Sequence, residues 1–393
     1  MFNLIAAFFC VNFIVENLKK GRHKYAAAVK RRQLPVMNFD ETVFLTGFPG
    51  FIAQRLVERL AAPGTQFFLL VQKAFVDKAV EEVEKIAEKT NTPLENFALV
   101  EGDITEENLG IIATDLEIIR SETTDVYHLA AIYDLAVAED LAYEVNVKGT
   151  MNVNDFVKSL PHLRRYNYVS TCYVSGLRKG LIYENELEHG TGFRNYYEKS
   201  KYFAELEVEN LKKDNVLLTI YRPSIVVGDS KTGETAKYDG VYYLIRYLRK
   251  LPSLLRLVNV GNKKVQLNLV PVDFVVEAIA ALAKDERAIG QTFALADPHP
   301  LTTEELFDTI SEVLTNKKSI IKPPPGIIEK TLLLPFSPMF SGLPHSGVSY
   351  FFVPQIYDTR AANKLLAVHN IACPNFRSYV RNLLEFVERK PDL

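Results

Sequence analysis

Short apolar runs alternate with amphipathic helical patterns along most of the chain. The first run, at residues 42–46, precedes a segment in which Leu56, Val57 and Leu60 recur with helical spacing. Further runs follow, separated by helical stretches, at residues 66–72, 97–102, 125–129, 166–170 and 216–221. Continuous apolar strands that alternate with helices are typical of a parallel sheet buried on both faces. The pattern therefore predicts an α/β fold built on a doubly wound parallel sheet.

The N-terminal segment has a different pattern, apolar first and basic afterwards. Residues 1–15 are nearly all apolar, and Lys and Arg recur over residues 19–32. The apolar run is shorter than the roughly 20 residues of a spanning helix, and a signal peptide carries its positive charges in front of its apolar run. Three interpretations of a leader over residues 1–36 stay open: a membrane anchor or membrane-surface helix, a helix packed on the domain, and a reading frame over-extended upstream of Met37.

Composition and charge narrow the class of protein. The 393 residues are 48% hydrophobic and 24% charged, which is ordinary for a globular protein and excludes wholesale disorder. A net charge of −2 gives no positive field for nucleic acid. The cysteines Cys10, Cys172 and Cys373 share no short spacing, and the histidines are scattered. We expect a cytoplasmic, reducing location with neither a disulfide framework nor a metal site.

The turn after the first strand carries the first chemistry, in the pattern Gly47-x-x-Gly50-x-x-Ala53. Gly47 allows a tight turn, Gly50 allows the backbone to approach phosphate, and Ala53 is small enough for helix–strand packing. The N–H groups and dipole of the following helix then face an anion. Between a strand and a helix, this spacing predicts a dinucleotide pyrophosphate site, with a turn that binds no ligand as the alternative. The predicted contacts are Gly47, Phe48, Gly50, Phe51 and Ile52.

The ends of the next two strands bear on the choice of nucleotide. An NAD site would place an acid after the second strand to bind the ribose 2′-OH, but the run ends at Lys73. Lys73 can meet a 2′-phosphate, which favours NADPH, although a solvated lysine is the alternative. The third strand ends in Asp103 and Ile104, both predicted cofactor contacts. Asp103 suits an adenine amino group, and it suits equally the cap of a helix that starts near Thr105.

A hydroxyl, a tyrosine and a lysine form the second chemical cluster. Tyr197 and Lys201 are four residues apart in a helical pattern, so both side chains share one face. A cation beside a phenol is expected to lower its pKa from about 10, which makes Tyr197 a usable proton donor. Thr171, after the fifth strand, can donate to a substrate carbonyl oxygen, with Ser170 as its rival. Cys172 as a nucleophile is a weaker alternative, because no histidine is near it in sequence.

Seven motifs follow one another along residues 42–297. They are Thr46-Gly47-x-x-Gly50, Gly102-Asp103-Ile104, His128-Leu-Ala-Ala131, Asn146-Val-Lys-Gly-Thr150, Ser170-Thr171, Tyr197-x-x-x-Lys201 and Tyr221-Arg-Pro-Ser-Ile-Val-Val-Gly228. Together they resemble the extended short-chain dehydrogenase/reductase family. The resemblance implies a Rossmann domain, a nicotinamide cofactor, and Thr171, Tyr197 and Lys201 as catalytic residues, with Lys201 also holding the nicotinamide ribose. It also implies that Ala130 and Ala131 pass close to the cofactor and that Pro223 and Ile225 flank the nicotinamide.

Two positions depart from the family pattern, and two segments indicate a branch. Many members have glycine at Ala53, and close relatives often have arginine at Gln72, which weakens the NADPH prediction. Residues 222–233 and 357–366 resemble the thioester-reductase and fatty acyl-CoA reductase branch, also called the male-sterility type. That branch reduces acyl thioesters to aldehydes, sometimes to alcohols. We expect a lipophilic acyl group on coenzyme A or on a separate carrier protein.

The substrate side of the chain is predicted to be apolar. Residues 238–257 mix Tyr and Leu with Arg246, Arg249, Lys250 and Arg256. These cations can meet a phosphate-bearing handle, or they form the solvated face of an amphipathic helix. Residues 332–352 resemble a lid over an apolar pocket or a loop that touches a membrane, with packing over the core as the alternative.

These observations give one domain prediction and three functional hypotheses. We predict an NAD(P)-binding domain at residues 37–297, with a substrate insert at about 229–270, and a smaller C-terminal substrate-binding or lid region at 298–393. The leading hypothesis is an NADPH-dependent reductase of a lipophilic acyl thioester or aldehyde. The alternatives are a nucleotide-sugar epimerase or dehydratase of the same family and a non-enzymic dinucleotide-binding protein. Asp273 is expected to cap the helix that follows it.

Overall fold

The computed structural model describes residues 39–250, 258–332 and 349–393. The predicted leader, residues 251–257 of the basic segment and residues 333–348 of the predicted lid all fall outside this part of the chain. Among the described residues, no helix has both the length and the apolar character needed to cross a bilayer.

A seven-stranded sheet has the strand order β10-β7-β5-β4-β1-β2-β3. The central strand β1 pairs in parallel with β2 and with β4, so that Thr46 is in register with Leu70 on one side and His128 on the other. The chain runs outward from β1 first in one direction and then in the other, which is the doubly wound Rossmann order. The predicted fold class is thereby confirmed. The strands of this sheet are β1 (Glu41–Thr46), β2 (Thr65–Val71), β3 (Phe97–Glu101), β4 (Asp125–His128), β5 (Arg165–Val169), β7 (Leu218–Pro223) and β10 (Thr292–Leu295).

Two small parallel sheets and a series of helices complete the described fold. The small sheets pair β6 (Gly180–Ile182) with β11 (Gln355–Tyr357), and β8 (Ile225–Val227) with β9 (Leu269–Pro271). The α-helices are α1 (Phe51–Leu60), α2 (Val76–Thr90), α3 (Ala113–Glu122), α4 (Glu139–Ala142), α5 (Gly149–Lys158), α6 (Tyr196–Asn210), α7 (Val241–Lys250), α8 (Val272–Ala283), α9 (Thr303–Thr315), α10 (Pro325–Leu332), α11 (Arg360–Val368) and α12 (Phe376–Arg389). A π-helical turn at Tyr143–Lys148 leads into α5.

The first of two compact units comprises residues 39–131, Glu144–Tyr168 and Glu207–Thr219. Every residue of β2 is buried, as expected for a central strand covered on both faces. The rings of Phe67 and Phe97 on adjacent strands stack with centroids 5.2 Å apart. On α1 the buried residues are Ala53, Leu56, Val57 and Leu60, which is the helical face read from the sequence.

The second unit comprises Ile132–Tyr143, Val169–Leu206 and Ile220–Leu393. Its main apolar cluster joins α7, α9 and α12 through residues that include Tyr242, Phe307 and Leu383. Helix α9 begins with a capping box, in which Thr302 and Glu305 satisfy each other's backbone N–H groups. The cluster gives this unit a core of its own.

The six predicted strands are present, whereas β6, β8, β9, β10 and β11 were not predicted. The helical pattern around Tyr197 and Lys201 is confirmed as α6, which spans Tyr196–Asn210. The expectation that Asp273 caps α8 is wrong, because the N-cap is Pro271 and Asp273 instead accepts from the backbone N–H and hydroxyl of Ser230. The domain boundaries expected at residues 37 and 298 stay predictions.

Candidate active site

The turn between β1 and α1 is too crowded for any residue larger than glycine at two positions. Gly47 has a φ of +91°, and a Cβ there would lie 2.8 Å from the backbone nitrogen of Ala130. The Gly50 N–H donates to the Gly47 carbonyl at 2.8 Å, and a Cβ on Gly50 would lie 2.6 Å from that oxygen. Gly47 therefore has the role in a tight turn that was expected of it, and the approach of Gly50 to a phosphate stays a prediction.

A buried chain of hydrogen bonds holds this turn against the loop after β4. The Thr46 hydroxyl lies 2.7 Å from Nδ1 of His128 and accepts from the backbone N–H of Ala130 at 3.1 Å. Nε2 of His128 lies 3.1 Å from the Thr150 hydroxyl, which donates to the Asn146 carbonyl. The sequence analysis placed His128 in a family motif but assigned it no role. Its position at the end of β4 could have indicated that it lies beside the glycine turn.

The N-terminus of α1 is arranged to receive an anion. Its N-cap is Gly50, with no side-chain hydrogen bond to the first turn, and the first turn contains no acidic residue. The N–H groups and the positive end of the helix dipole are thus open to a negative group. A dinucleotide pyrophosphate fits this cradle. Of the neighbouring predicted contacts, Phe48 is buried, whereas Phe51 and Ile52 are half-buried.

The residues predicted to determine the preference for NADPH or NADH lie just after β2 and β3. Lys73 is exposed just after β2. The Gln72 amide donates to Asp103 at 2.7 Å, and the other Asp103 oxygen accepts from the backbone N–H and hydroxyl of Thr105. Asp103 therefore caps a turn, and the helix that was predicted to start near Thr105 is not formed there. Its contact with an adenine amino group stays a prediction. The preference for NADPH over NADH stays a prediction.

Ile104, Ala130 and Ala131 take up different positions in the first unit. Ile104 is buried, and a Cβ on Gly149 of α5 would lie 2.7 Å from its Cδ1. Glycine at that position lets α5 pack directly on Ile104. Ala130 and Ala131 are half-buried at the start of the loop after β4, where the backbone of Ala130 contacts Gly47.

In the second unit, the three predicted catalytic side chains are buried and close together. The Thr171 hydroxyl lies close enough to the Tyr197 hydroxyl to lower the pKa of that phenol. Lys201, one turn further along α6, donates from Nζ to the Val169 carbonyl at 3.0 Å. The Pro223 carbonyl lies 3.5 Å from the Thr171 hydroxyl. Ile225, also predicted to flank the nicotinamide, is half-buried in β8.

The electrostatics of this group differ from the prediction. Burial raises the pKa of Tyr197 to about 12, against a lowering by the Thr171 hydrogen bond. Burial also lowers the pKa of Lys201 to about 8, against a raising by Glu205. The expected lowering of the Tyr197 pKa is therefore wrong, because loss of hydration disfavours the phenolate more than its neighbours stabilise it. Tyr197 is a neutral acid at physiological pH.

The two rivals of Thr171 are engaged elsewhere. The Ser170 hydroxyl donates to Glu205, and Arg222 donates to the same carboxylate at 2.8 Å. The Cys172 thiol is buried, lies 3.0 Å from the Arg222 carbonyl oxygen, and has its pKa raised by burial. A thiol in this state is a poor nucleophile. The geometry favours Thr171 as the partner of Tyr197.

A buried ion pair at the start of α6 was missed by the sequence analysis. Arg194 donates to Glu198 at 3.0 Å, and both side chains are almost fully buried. The Tyr350 hydroxyl also donates to Glu198, at 2.6 Å, and accepts from Asn195. The Arg–Glu spacing was visible in the sequence, but Tyr350 is 152 residues from Glu198. No local pattern could have joined them.

A second missed residue is Tyr133, which packs edge-on against Tyr197 with ring centroids 5.8 Å apart. Its hydroxyl donates to Asp239 at 2.8 Å, just before α7. The apolar residues of α7, among them Tyr242 and Ile245, are buried in the core, and Arg246 and Arg249 are half-buried. Helix α7 is therefore amphipathic, and the role of its cations stays a prediction.

Comparison with known proteins identifies the family. A family model described as male sterility protein, an NAD-binding domain, matches residues 45–279. A fatty acyl-CoA reductase of Drosophila melanogaster is 25% identical over 285 residues, which is 63% of this chain and 54% of that protein. A non-canonical nonribosomal peptide synthetase of Aspergillus campestris is 27% identical over 272 residues, which is 65% of this chain and 25% of that protein. The chain thus spans between a quarter and about half of these relatives' lengths.

The similarity of fold extends further along the chain. The terminal R domain from the myxalamid PKS-NRPS biosynthetic pathway has a TM-score of 0.76 at 23% identity, over 90% of this chain and 92% of that one. A thiolation-reductase di-domain from an archaeal nonribosomal peptide synthetase has a TM-score of 0.70 at 17% identity, over 89% and 76%. Since the family model matches more than half of the sequence, the chain belongs to the male sterility protein family, a branch of the extended short-chain dehydrogenases/reductases.

Proposed function

We propose that this protein is an NADPH-dependent oxidoreductase that reduces a lipophilic acyl thioester to the aldehyde. The observation that carries the proposal is the buried contact between the Thr171 and Tyr197 hydroxyls, with Lys201 one turn further along α6. Two hydroxyl donors side by side suit a carbonyl oxygen that becomes negative during reduction. The relatives named for fatty acyl-CoA reduction support the thioester.

The chain's own residues then have separate roles in the reaction. The open end of α1 would bind the pyrophosphate, and Lys201 would hold the ribose. A bound nicotinamide would supply the hydride for the carbonyl carbon. Thr171 and Tyr197 donate hydrogen bonds to the carbonyl oxygen as its charge grows. The C–S bond breaks, the oxygen returns to a carbonyl, and the sulfur takes a proton and leaves as the thiol. Tyr197, protonated up to pH about 12, is the proton donor and regains its proton from water.

The choice of NADPH rests on Lys73 and on the lack of an acid at the end of β2. An acid there would bind the ribose 2′-OH of NADH and repel a 2′-phosphate. The exposed ammonium of Lys73 instead suits a 2′-phosphate. Gln72, which turns towards Asp103, adds no positive charge.

The first test is a substrate and cofactor panel. Purified protein is titrated with NADPH and NADH, and acyl-CoA thioesters, carrier-bound thioesters and long-chain aldehydes are then added while absorbance at the nicotinamide band is followed. We expect thioesters to oxidise NADPH and release free thiol. Turnover of a UDP-hexose instead, with no thioester oxidising NADPH, would refute the proposal in favour of an epimerase.

The role of Tyr197 is tested with Tyr196, its neighbour in the sequence, as the control. Tyr197→Phe should bind NADPH with unchanged affinity but lose about 100-fold or more in kcat, since it lacks the proton donor. Tyr196→Phe, the same change at the adjacent and exposed tyrosine, should keep full activity. Equal activity of the two variants would contradict the role of Tyr197.

A further inference from the structure

Tyr133, in the segment that follows β4, combines an exposed position with a contact to the proposed proton donor. Tyr133 is 53% exposed, whereas Tyr197 is only 8% exposed. Their rings pack edge to face, with centroids 5.8 Å apart and planes at 79° to each other. Both residues belong to the second unit. An exposed side chain is ordinarily mobile, so the effect of Tyr133 on Tyr197 depends on what holds its ring in place.

Two polar residues hold Tyr133 in one orientation. Its hydroxyl donates to the Asp239 carboxylate at 2.8 Å, across 106 residues of sequence. The Lys237 ammonium lies 5.4 Å from the centroid of the Tyr133 ring, within the range of a cation–π interaction, and 3.7 Å from the same carboxylate. The ring is thus restrained at its hydroxyl, over its face and at its contact with Tyr197.

The rest of the segment after β4 also packs against Tyr197. Val137 and Ala142 are buried in one apolar cluster with Tyr197. Glu139, which lies between them in the sequence, forms an ion pair with Lys199 of α6 at 2.5 Å. Since the segment is attached to α6 by both contacts, it is fixed relative to the helix that contains Tyr197.

These contacts matter because a proton donor acts only from a narrow range of positions. The hydroxyl of a tyrosine moves when the side-chain torsions change, and a neighbouring ring in contact blocks such changes. A misplacement of about 1 Å can cost about 100-fold in rate. The Thr171 hydroxyl lies beside the Tyr197 hydroxyl, and Tyr133 packs against the Tyr197 ring. The two neighbours thus restrain different parts of the same side chain.

We propose that Tyr133 is a positioning residue, whose ring holds the Tyr197 ring in the orientation that proton transfer requires. The proposal rests on the proposed function, which makes Tyr197 the proton donor. Asp239 and Lys237 contribute indirectly, since they hold the side chain of Tyr133. The sequence analysis assigned no role to any of these three neighbours.

The first test separates the ring of Tyr133 from its hydroxyl. Tyr133→Ala removes the ring and should lower kcat about tenfold or more, with the KM values for NADPH and the thioester within about twofold of the wild type. Tyr133→Phe keeps the ring and should lose less than about threefold in kcat. Tyr143→Ala, at a tyrosine of the same segment that is also 53% exposed, should keep the wild-type kcat. Equal kcat values for the two alanine variants would refute the proposal.

A second comparison shows whether Tyr133 acts through Tyr197. When two residues act as a unit, the loss of the second adds little to the loss of the first. In a Tyr197→Phe background, Tyr133→Ala should therefore lower kcat by less than about a further twofold. A loss of the same size in both backgrounds would mean that Tyr133 does not act through the Tyr197 hydroxyl, and would overturn the positioning role.

A third measurement needs neither substrate nor cofactor. The Tyr197 phenol is followed by NMR of protein isotope-labelled at the tyrosine Cζ, and its signal is assigned by its absence in Tyr197→Phe. Burial raises the pKa of Tyr197 to about 12. Loss of the neighbouring ring in Tyr133→Ala should admit water, lower this pKa and raise the ionised fraction at pH about 11 by about threefold or more.

The outcomes separate this proposal from the proposed function. If thioesters oxidise NADPH but Tyr133→Ala leaves the ionised fraction of Tyr197 unchanged, the positioning role is refuted and the reductase stands. If no thioester oxidises NADPH, the proposed function fails and the positioning role fails with it. Because Tyr133 is largely exposed, its replacement is not expected to prevent folding.

Discussion

Lys201 shows how a single buried residue balances opposing influences. Burial disfavours its charged form, and the negative charge of Glu205, one turn further along α6, favours it. The result is a pKa of about 8, so the lysine is mostly charged at neutral pH and mostly neutral at pH 9. Tyr197, with a pKa of about 12, does not change its protonation over this range. Lys201 is therefore the group of the site that titrates near physiological pH.

The difference between the pKa values of Lys201 and Tyr197 predicts how the reaction depends on pH. The proposed role of Lys201 in holding the ribose requires its charged form, so kcat/KM should fall as the pH rises through about 8, with no further loss from Tyr197 below pH about 11. Glu205→Gln removes the charge that raises the Lys201 pKa, so the falling limb should move to lower pH. The position of the limb, rather than total activity, is the measurement, because Arg222 also depends on Glu205.

The matched control for this prediction lies on the same helix. Glu209→Gln removes a carboxylate that pairs with Lys212 at 2.6 Å on the surface. Its pH profile should coincide with that of the wild type. A limb that stays at pH about 8 in Glu205→Gln would show that Glu205 does not act on Lys201.

At the scale of elements, the turn after β1 is the feature most completely encoded in local sequence. A strand, two glycines three residues apart and an amphipathic helix are contiguous, so their geometry follows from backbone sterics. The structure adds the reason for the first glycine. The backbone of Leu129 and Ala130, from the loop after β4, occupies the space that a Cβ on Gly47 would need.

The geometry of this turn predicts that an alanine is harmful at Gly47 but harmless at Gly190. Gly47→Ala would place a Cβ against the Ala130 backbone at a φ of +91°, and we expect a loss of at least about 1 kcal/mol in stability and at least tenfold weaker NADPH binding. Gly190→Ala, at an exposed glycine with open space around its Cβ position, should change neither. Thermal unfolding measures the stability, and fluorescence titration measures cofactor binding. Unchanged cofactor binding in Gly47→Ala would contradict the proposal that this turn binds the cofactor.

At the scale of the whole molecule, contacts between distant segments support the start of α6. Tyr350 donates to Glu198 across 152 residues of sequence, and its ring lies beneath the Arg194 guanidinium at 4.9 Å. A buried carboxylate depends strongly on each of its donors, because water cannot replace one that is lost. The start of α6, the helix that contains Tyr197, is thus stabilised by a residue from a distant part of the sequence.

Loss of that one hydroxyl should be measurable. Tyr350→Phe should lower the free energy of unfolding by about 1.5–3 kcal/mol, the range for a hydrogen bond to a charged group. Tyr183→Phe, at an exposed tyrosine, should change it by less than about 0.5 kcal/mol. Urea unfolding at equilibrium compares the two, and equal stabilities would show that Glu198 does not depend on Tyr350.

Local patterns in the sequence were enough to predict six of the seven strands of the large sheet, the glycine turn and the Tyr197–Lys201 pair. Each of these follows from residues adjacent in the chain or one helical turn apart. The Rossmann order followed in turn from the alternation of strands and helices, since connections of that kind lead to few topologies. Family membership rested on the same contiguous motifs, and the family model confirms it over residues 45–279.

Tertiary structure alone decided the protonation of the site and the surroundings of its side chains. The Tyr197 pKa was predicted in the wrong direction because burial depends on segments far apart in the chain. The Asp273 cap was wrong for a similar reason, since Ser230 lies 43 residues away. The Arg194–Glu198–Tyr350 contacts likewise join residues that no local pattern relates. Hydration and electrostatic interactions depend on distances in the folded protein, and separation along the sequence does not give those distances.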